Sequence, residues 1–420
     1  MQNELKSLPD KALRVQTKAI SLGALGKSAF LELLTGSSTA FLTQGEGLIG
    51  FGGELRLEAS GPNRIDDLNQ AWQDLVKATA IEDELAIPGS GLIAFGTIAF
   101  SDHSSATSVL VIPKVILGQR SGQLWITLVN TSLEEALTLI SETKESEAEH
   151  LRFEAGQIST EQFKTNIANA LTKIEEHSVE KVVLARDIVS NVSKDFDNSS
   201  ALKYLATHFE SCFTYSVDGL FGASPELLVK VSHSQVSARV LAGTAGRGTD
   251  PGVDEAIGQA LTSSQKNLDE HKYAIDSLVS ALAELAENID ADETPFSLAL
   301  PNLWHLASDV HAVLKADSSS LQVVKALHPS AAVAGTPRDK ALELIQEIEQ
   351  LDRGRYAGPV GWIGADGDGA WAIALRGAQL DKTNNLIRAF AGCGIVAGST
   401  PEAELAETNL KFKPILDALS

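Results

Sequence analysis

Between Gly354 and Lys411 the chain reads GRYAGPVGWIGADGDGAWAIALRGAQL, then IRAFAGCGIV, then STPEAELAETNLK. Glycines interrupt runs of β-branched and aromatic residues there, a pattern that suits strands and turns better than helices. Two strands are predicted on either side of Asp366-Gly367-Asp368-Gly369, with a third after them. That acidic turn lacks the further acidic position and closing glutamate of a calcium loop, and a hairpin turn accounts for it. The period then changes. Glu404, Glu407 and Lys411 stand at i, i+3 and i+7, so they share one face of a helix. A polar stripe on a surface helix is ordinarily just solvated. Here Leu405, Leu410, Phe412 and Ile415 make the rest of the helix apolar, and a narrow charged stripe on a buried helix is expected to face a polar cavity.

A length of 420 residues gives ample core for one large domain or several ordinary ones, and 44% hydrophobic residues argue against disorder. The formal charge of −21 disfavours a nucleic-acid partner, which needs a basic face. A small anionic ligand would require local Arg or Lys, or a divalent ion held by carboxylates. Two cysteines, Cys212 and Cys393, fit a reducing compartment without a structural disulfide. The charged start MQNELKSLPDKALRVQTK lacks an apolar leader segment, and no apolar run reaches membrane-spanning length. The expectation is a cytoplasmic protein with neither membrane nor nucleic acid as partner.

Taken in order, Gly47–Glu58 reads as a strand and Ile65–Lys77 as a helix through Leu68, Trp72, Leu75 and Val76. Gly91–Phe100, Ser108–Ile116 and Gln123–Val129 read as further strands, and their succession without helices favours antiparallel pairing. His103, in the polar loop DHSS, reads as a surface residue. The acidic stretch Ser141–His150 reads as a linker or a solvated helix. A helix begins at Thr160, its capping candidate, with Phe163, Ile167, Leu171 and Ile174 on one face, and a strand follows at Lys181–Val189. LFGASPELLVKV (220–231) reads as strand, turn and strand with Glu226 at the mouth of the turn.

Gln235–Ala242 reads as a strand ending in the loop GTAGRG (243–248), which matches neither a P-loop nor a dinucleotide fingerprint. Ser263–Ile289 reads as one long helix striped by Ile275, Leu278, Val279, Leu282, Leu285 and Ile289. Spacing alone leaves Glu270 as a solvent-facing residue at its start. Asn302–Val313 reads as a strand in which His305, among apolar neighbours, would ordinarily be a hydrogen-bonded core histidine. A short helix near 318–327 and the loop HPSAAVAGTP precede a helix with Thr336 at N-cap, Pro337 at N1 and Asp339 at N3.

From Lys181 onward, KVVLAR (181–186), GASPEL (222–227), LAGT (241–244), KNLDEH (266–271), HPSAAVAG (328–335), GRYAGPVGW (354–362), ALRGA (374–378), AGCGIV (391–396) and AELAETNLK (403–411) fall in an order that resembles the chorismate-utilising enzymes. That family includes isochorismate and salicylate synthases and the large subunits of anthranilate and aminodeoxychorismate synthases. The likeness is densest over 160–418 and looser in a divergent part, 1–150. It implies one chorismate-binding domain over 1–420, of α/β (α+β) class, with large antiparallel sheets as a core surrounded by helices.

The resemblance also implies roles. Isomerising chorismate adds water at C2 while the C4 hydroxyl departs, which needs a general base, a general acid and a cation for the ring carboxylate. Lys181 matches the base, which requires a depressed pKa, and Glu226 matches the acid, which requires a raised one. Glu270 and Glu407 match Mg²⁺ carboxylates, with Glu404 as a partner through water. Arg376 and Tyr356 match positions that hold a substrate carboxylate. Gly243, Thr244, Gly392 and Lys411 match further substrate contacts, and His305 matches a histidine near the ring carboxylate. Under the resemblance the stripe Glu404, Glu407, Lys411 is functional rather than merely solvated.

Two positions discriminate among relatives. Anthranilate-type members lack a lysine at the place of Lys181, so water rather than ammonia is the expected nucleophile and no amidotransferase subunit is expected. Lyase members commonly carry threonine where Ala332 stands, which favours an isochorismate synthase over a salicylate synthase. Asn267 replaces an acidic residue of many relatives, and Ser330-Ala331 replaces a common Thr-Pro. A catalytically silent chorismate-binding relative is the reading from a different class. A monomer is expected, and the residues do not separate supply of menaquinone, siderophore or salicylate pathways.

Overall fold

The computed structural model of the chain describes residues 12–36, 38–141, 149–248, 250–292, 294–299, 303–316 and 318–420, without the side chains of 242–244, 266, 270, 303 and 305. Residues 142–148, the middle of the expected linker, and the first eleven residues lie outside that description, as does Asn302. The described chain divides into two compact units. The first comprises residues 1–226, 328–366 and 371–420; the second comprises 227–327 and 367–370.

The first unit is built on antiparallel pairing, as the succession of strands predicts. Arg14–Ala19 pairs with Gln123–Val129, which pairs with Ser108–Arg120, then Glu46–Ala59, then Thr39–Thr43. Pairing continues through Phe213–Val217, Leu220–Ser224, Gly377–Asp381 and Leu386–Val396 to Lys181–Asn191. Ile93–Thr97 and Pro359–Gly364 branch from Ser108–Arg120. One pair is parallel, Arg14–Ala19 with Ala80–Asp83. Strands such as Ile93–Thr97 and Leu220–Ser224 are buried on both faces, which is why they read as unbroken apolar runs rather than alternating ones. Phe51, Phe221, Ile387, Phe412 and Ile415 belong to the apolar cluster under this sheet.

Helices Arg64–Ala78 and Thr160–Glu175 form where the apolar spacing predicts them. The second is capped one residue earlier than expected: the Ser159 hydroxyl, not Thr160, accepts the Gln162 N–H. The helix after the HPSAAVAGTP loop runs Arg338–Glu349 with Pro337 at its N-cap and no side-chain cap. Thr336 is instead in the two-residue strand Gly335–Thr336, paired with Lys181 and Val182. His103 is exposed, as expected.

The second unit centres on Leu303–Leu314, which pairs with Gln235–Gly246 on one edge and with Ala286–Ala291 and Phe296–Ala299 on the other. Two expectations fail here. GTAGRG does not open a loop at once, because the strand continues to Gly246 across a register shift between Ala242 and Thr244. A bulge absorbs the glycine that looks like a strand end. The helix read over Ser263–Ile289 is found as Gln265–Leu282 but ends sooner and gives way to the strand Ala286–Ala291, and a further helix that was not expected, Pro251–Ser263, precedes it. Ser264, extended between the helices, breaks the run. Ile289 satisfies a helical period and a strand equally, and pairing with Ala312 decides for the strand.

Candidate active site

The strand Lys181–Asn191 organises the first unit's charged residues. One edge pairs along its whole length with Leu386–Val396, setting Lys181 opposite Val396 and Ala185 opposite Gly392. Among the described residues the backbone meets the other edge toward its ends, through Gly335–Thr336 with the Ala334 carbonyl and through Glu154–Ala155 with the Gly156 N–H. Side chains complete the middle. Glu349 Oε1 accepts the Ala185 N–H at 2.6 Å, and Arg353 donates to the carbonyls of Val183 at 2.7 Å and Val333 at 3.0 Å. Glu349 and Arg353 pair with each other at 2.5 Å and are fully enclosed. Asp187 accepts the backbone N–H groups of Gln157 and Ile158, each at 3.0 Å.

Lys181 at the head of this strand extends over Gly394, where a Cβ would stand 2.9 Å from the lysine Cε. Glu226 follows the Leu220–Ser224 strand. Its backbone carbonyl accepts the Ile373 N–H at 3.0 Å, and its own N–H donates to Ser224 Oγ at 3.2 Å. The residue as a whole is half-buried, and burial raises its carboxyl pKa against the pull of Lys181, Lys411 and Arg376, in that order. Four of the residues singled out from the sequence therefore lie within electrostatic reach of one another. Burial lowers the pKa of Arg376, opposed by Tyr356, Cys212, Glu407 and Glu226. Arg376 also takes a left-handed φ of 51°, an uncommon state for a bulky side chain and one that clusters at functional sites.

Tyr356 is buried and stacks on Phe390 with centroids 5.1 Å apart. Burial pushes its hydroxyl up to about 12. A Cβ at Gly392 would stand 3.2 Å from that hydroxyl, so the glycine leaves room for the tyrosine. Ala332 is exposed in the turn after His328-Pro329-Ser330, one residue before the Val333 carbonyl that Arg353 holds.

The last helix, Pro401–Ala418, is capped by Thr400, whose hydroxyl accepts the Ala403 N–H. It is anchored from below by buried Arg186, which donates to Thr408 Oγ1 at 2.9 Å and lies over the Phe412 ring at 4.8 Å. The expected charged stripe is present. Lys411 Nζ donates to the Gly392 carbonyl at 2.8 Å and pairs with Glu407 Oε1 at 2.6 Å. The expected apolar remainder is not wholly buried: Phe412 and Ile415 are, but Leu410 is 67% exposed, because it lies on the side turned away from the sheet.

Glu404 is buried on the same helix. Its Oε1 accepts the Ser399 hydroxyl at 2.6 Å, while its Oε2 is buried without a hydrogen-bond partner. A buried carboxylate oxygen with no donor is costly unless a cation or proton meets it. Oxygen donors from Glu404 and Glu407, one of them unsatisfied, fit a hard divalent cation. Among the described residues no three His, Cys, Asp or Glu side chains gather as a complete cage.

Gly243, Thr244, Glu270 and His305 belong to the second unit. There the backbone sets Thr244 directly opposite His305 across the ladder, at the register shift next to Gly243. Glu270 lies on Gln265–Leu282 beside His271, which is buried and hydrogen-bonded to Ser308 at 3.0 Å. The side chains of Thr244, Glu270 and His305 lie outside the description. Sequence reasoning missed Arg186, Glu349, Arg353 and Ser399, which hold the site's strand and helix. Arg186 sits in a quoted motif and Arg353 just ahead of another, but nothing in spacing tells a buried arginine from a solvated one.

Several known proteins resemble the chain. It is 35% identical over 290 residues to the isochorismate synthase DhbC of Bacillus subtilis, covering 66% of this chain and 72% of that protein. It is 33% identical over 260 residues to the isochorismate synthase EntC of Escherichia coli, covering 61% and 66%. The solved structure of MenF, the menaquinone-specific isochorismate synthase of Escherichia coli, superposes with a TM-score of 0.77 at 22% identity over 98% of this chain and 95% of that one, a likeness of fold. The expected architecture of antiparallel sheet and surrounding helices is thus found. The profile described as chorismate binding enzyme matches residues 36–420, and the chain belongs to that family.

Proposed function

We propose that the protein is an isochorismate synthase, converting chorismate to isochorismate without an amidotransferase subunit. The observation that carries this reading is Lys181 within electrostatic reach of a Glu226 carboxyl whose pKa burial raises. A base and a proton donor facing one space are what water addition with loss of a hydroxyl requires. Lys181 takes a proton from the attacking water as its oxygen bonds to C2. Glu226 gives a proton to the C4 oxygen, which leaves as water while the ring double bonds shift. Arg376 and Lys411 bring positive charge to a dicarboxylate substrate, and Tyr356 offers a hydroxyl that burial keeps protonated. Names of relatives that act as isochorismate synthases support the same reaction.

Of the carboxylates matched to Mg²⁺, Glu407, with Glu404 as its partner through water, would hold the ion and supply charge to neutralise a substrate carboxylate. Glu407 would then exchange or share the Lys411 ammonium it now carries. Chromatographic product analysis with chorismate and Mg²⁺, against an EDTA control, tests the proposal. Isochorismate that accumulates without salicylate or pyruvate is expected. Prompt stoichiometric salicylate and pyruvate would make it a lyase-active relative, and absence of turnover would leave a chorismate-binding protein.

A further inference from the structure

Residues 396–399 form a tight turn between the strand that faces Lys181 and the helix that carries the acidic stripe. Val396, in register with Lys181, accepts the Ser399 N–H through its carbonyl at 3.0 Å and donates its own N–H to Ser399 Oγ at 3.2 Å. The Ser399 hydroxyl proton is then committed to Glu404 Oε1 at 2.6 Å. Nothing in this arrangement is needed to start the helix, since Thr400 already caps it. One oxygen of Glu404 is thereby fixed by a hydroxyl that is itself fixed by the strand end. The other, Oε2, is buried without a hydrogen-bond partner of its own, and the neighbour that the carboxyl does have is the Cys393 thiol, whose pKa burial and Glu404 raise.

We propose that Ser399 is a positioning residue for a divalent cation: by occupying Oε1 it presents Oε2 of Glu404 as a single, oriented acceptor for the ion's water. Outer partners of this kind hold a ligating carboxylate in one rotamer and typically change metal affinity by about 10- to 100-fold when removed. The inference rests on the assignment of Glu404 to the metal in the proposed function, and extends it by naming what aims that carboxylate and which oxygen it offers.

The full chain and its variants are titrated with Mn²⁺, read by the loss of the free-ion electron paramagnetic resonance signal, with Mg²⁺ as competitor. Ser399→Ala is expected to weaken Mn²⁺ binding about 10-fold, and Ser399→Thr, which keeps the hydroxyl, to restore it. Glu404→Gln is the control for the underlying assignment. If Glu404→Gln binds Mn²⁺ as the wild type does, the metal assignment fails. If it binds weakly while Ser399→Ala is unchanged, the assignment stands and the role of Ser399 is overturned. Thermal denaturation of each apo variant separates lost affinity from lost fold: a weakened Ser399→Ala that melts with the wild type supports positioning. One whose weakness tracks a lowered melting temperature, unrescued by threonine, overturns it.

Discussion

Two carboxylates in the first unit, Glu349 and Glu226, are treated oppositely by their surroundings. Glu349 is enclosed with Arg353, and its oxygens accept a backbone N–H and the guanidinium. Glu226 faces three cations, yet no hydrogen bond reaches its carboxyl among the described residues, and burial raises its pKa. A saturated buried charge holds a fold together; an unsaturated one is available to exchange a proton. The contrast separates scaffold from chemistry within a few residues of one strand.

The comparison breaks most visibly through Lys181, the neighbour of Glu226. Lys181→Ala is expected to lower kcat/KM on the order of 10³-fold while leaving the melting temperature unchanged. Steady-state kinetics beside calorimetry would show it, and near-wild-type turnover would remove the lysine from its role as base. Glu349→Ala should do the reverse to the fold. Leaving a buried guanidinium uncompensated costs about 3 kcal/mol or more, read in urea unfolding, and a loss below about 1 kcal/mol would make the pair dispensable.

A smaller effect is expected at the helix. Glu407→Gln should raise the Mg²⁺ concentration for half-maximal activity about tenfold, as a lost ligand of modest strength would. Saturation at the wild-type concentration would exclude it as a ligand. The smallest effect sharpens the contrast through pH. A raised carboxyl pKa means the folded state holds its proton more tightly than the unfolded chain. Stability is therefore unpenalised below the unfolded pKa of about 4.3 and declines as pH rises through the folded value. Glu226→Gln should melt slightly higher than the wild type at pH 8, the difference vanishing near pH 4, while activity is lost. A variant less stable at pH 8 would mean that the carboxylate is held ionised.

Much of this was legible in the sequence for identifiable reasons. Lys181, Glu226, Arg376, Tyr356 and Lys411 lie in motifs whose order carries the family resemblance, and the structure brings them together in one unit. The periodic helices Arg64–Ala78 and Thr160–Glu175 announced themselves because one apolar face packs on the sheet. The strand containing Ile289 was not legible, since long-range pairing with Leu303–Leu314 decides it. Glu349 was equally opaque: a glutamate near a helix C-terminus reads as solvated, and only the strand brought beneath it shows what it caps. Ser399 was hidden by Thr400, which supplies the obvious reason for a Ser-Thr-Pro start.

Side chains seal the edge of the lysine-bearing strand at residues 183–185. An open strand edge offers unpaired N–H and C=O groups that another chain can join. Here Glu349 takes the Ala185 N–H and Arg353 the Val183 carbonyl, with side chains that no incoming strand can displace without stranding a buried charge. Loss of the Arg338–Glu349 helix would bare that edge beside an apolar strand. The same ion pair that steadies the lysine-bearing strand therefore guards the protein against sticking to its own copies.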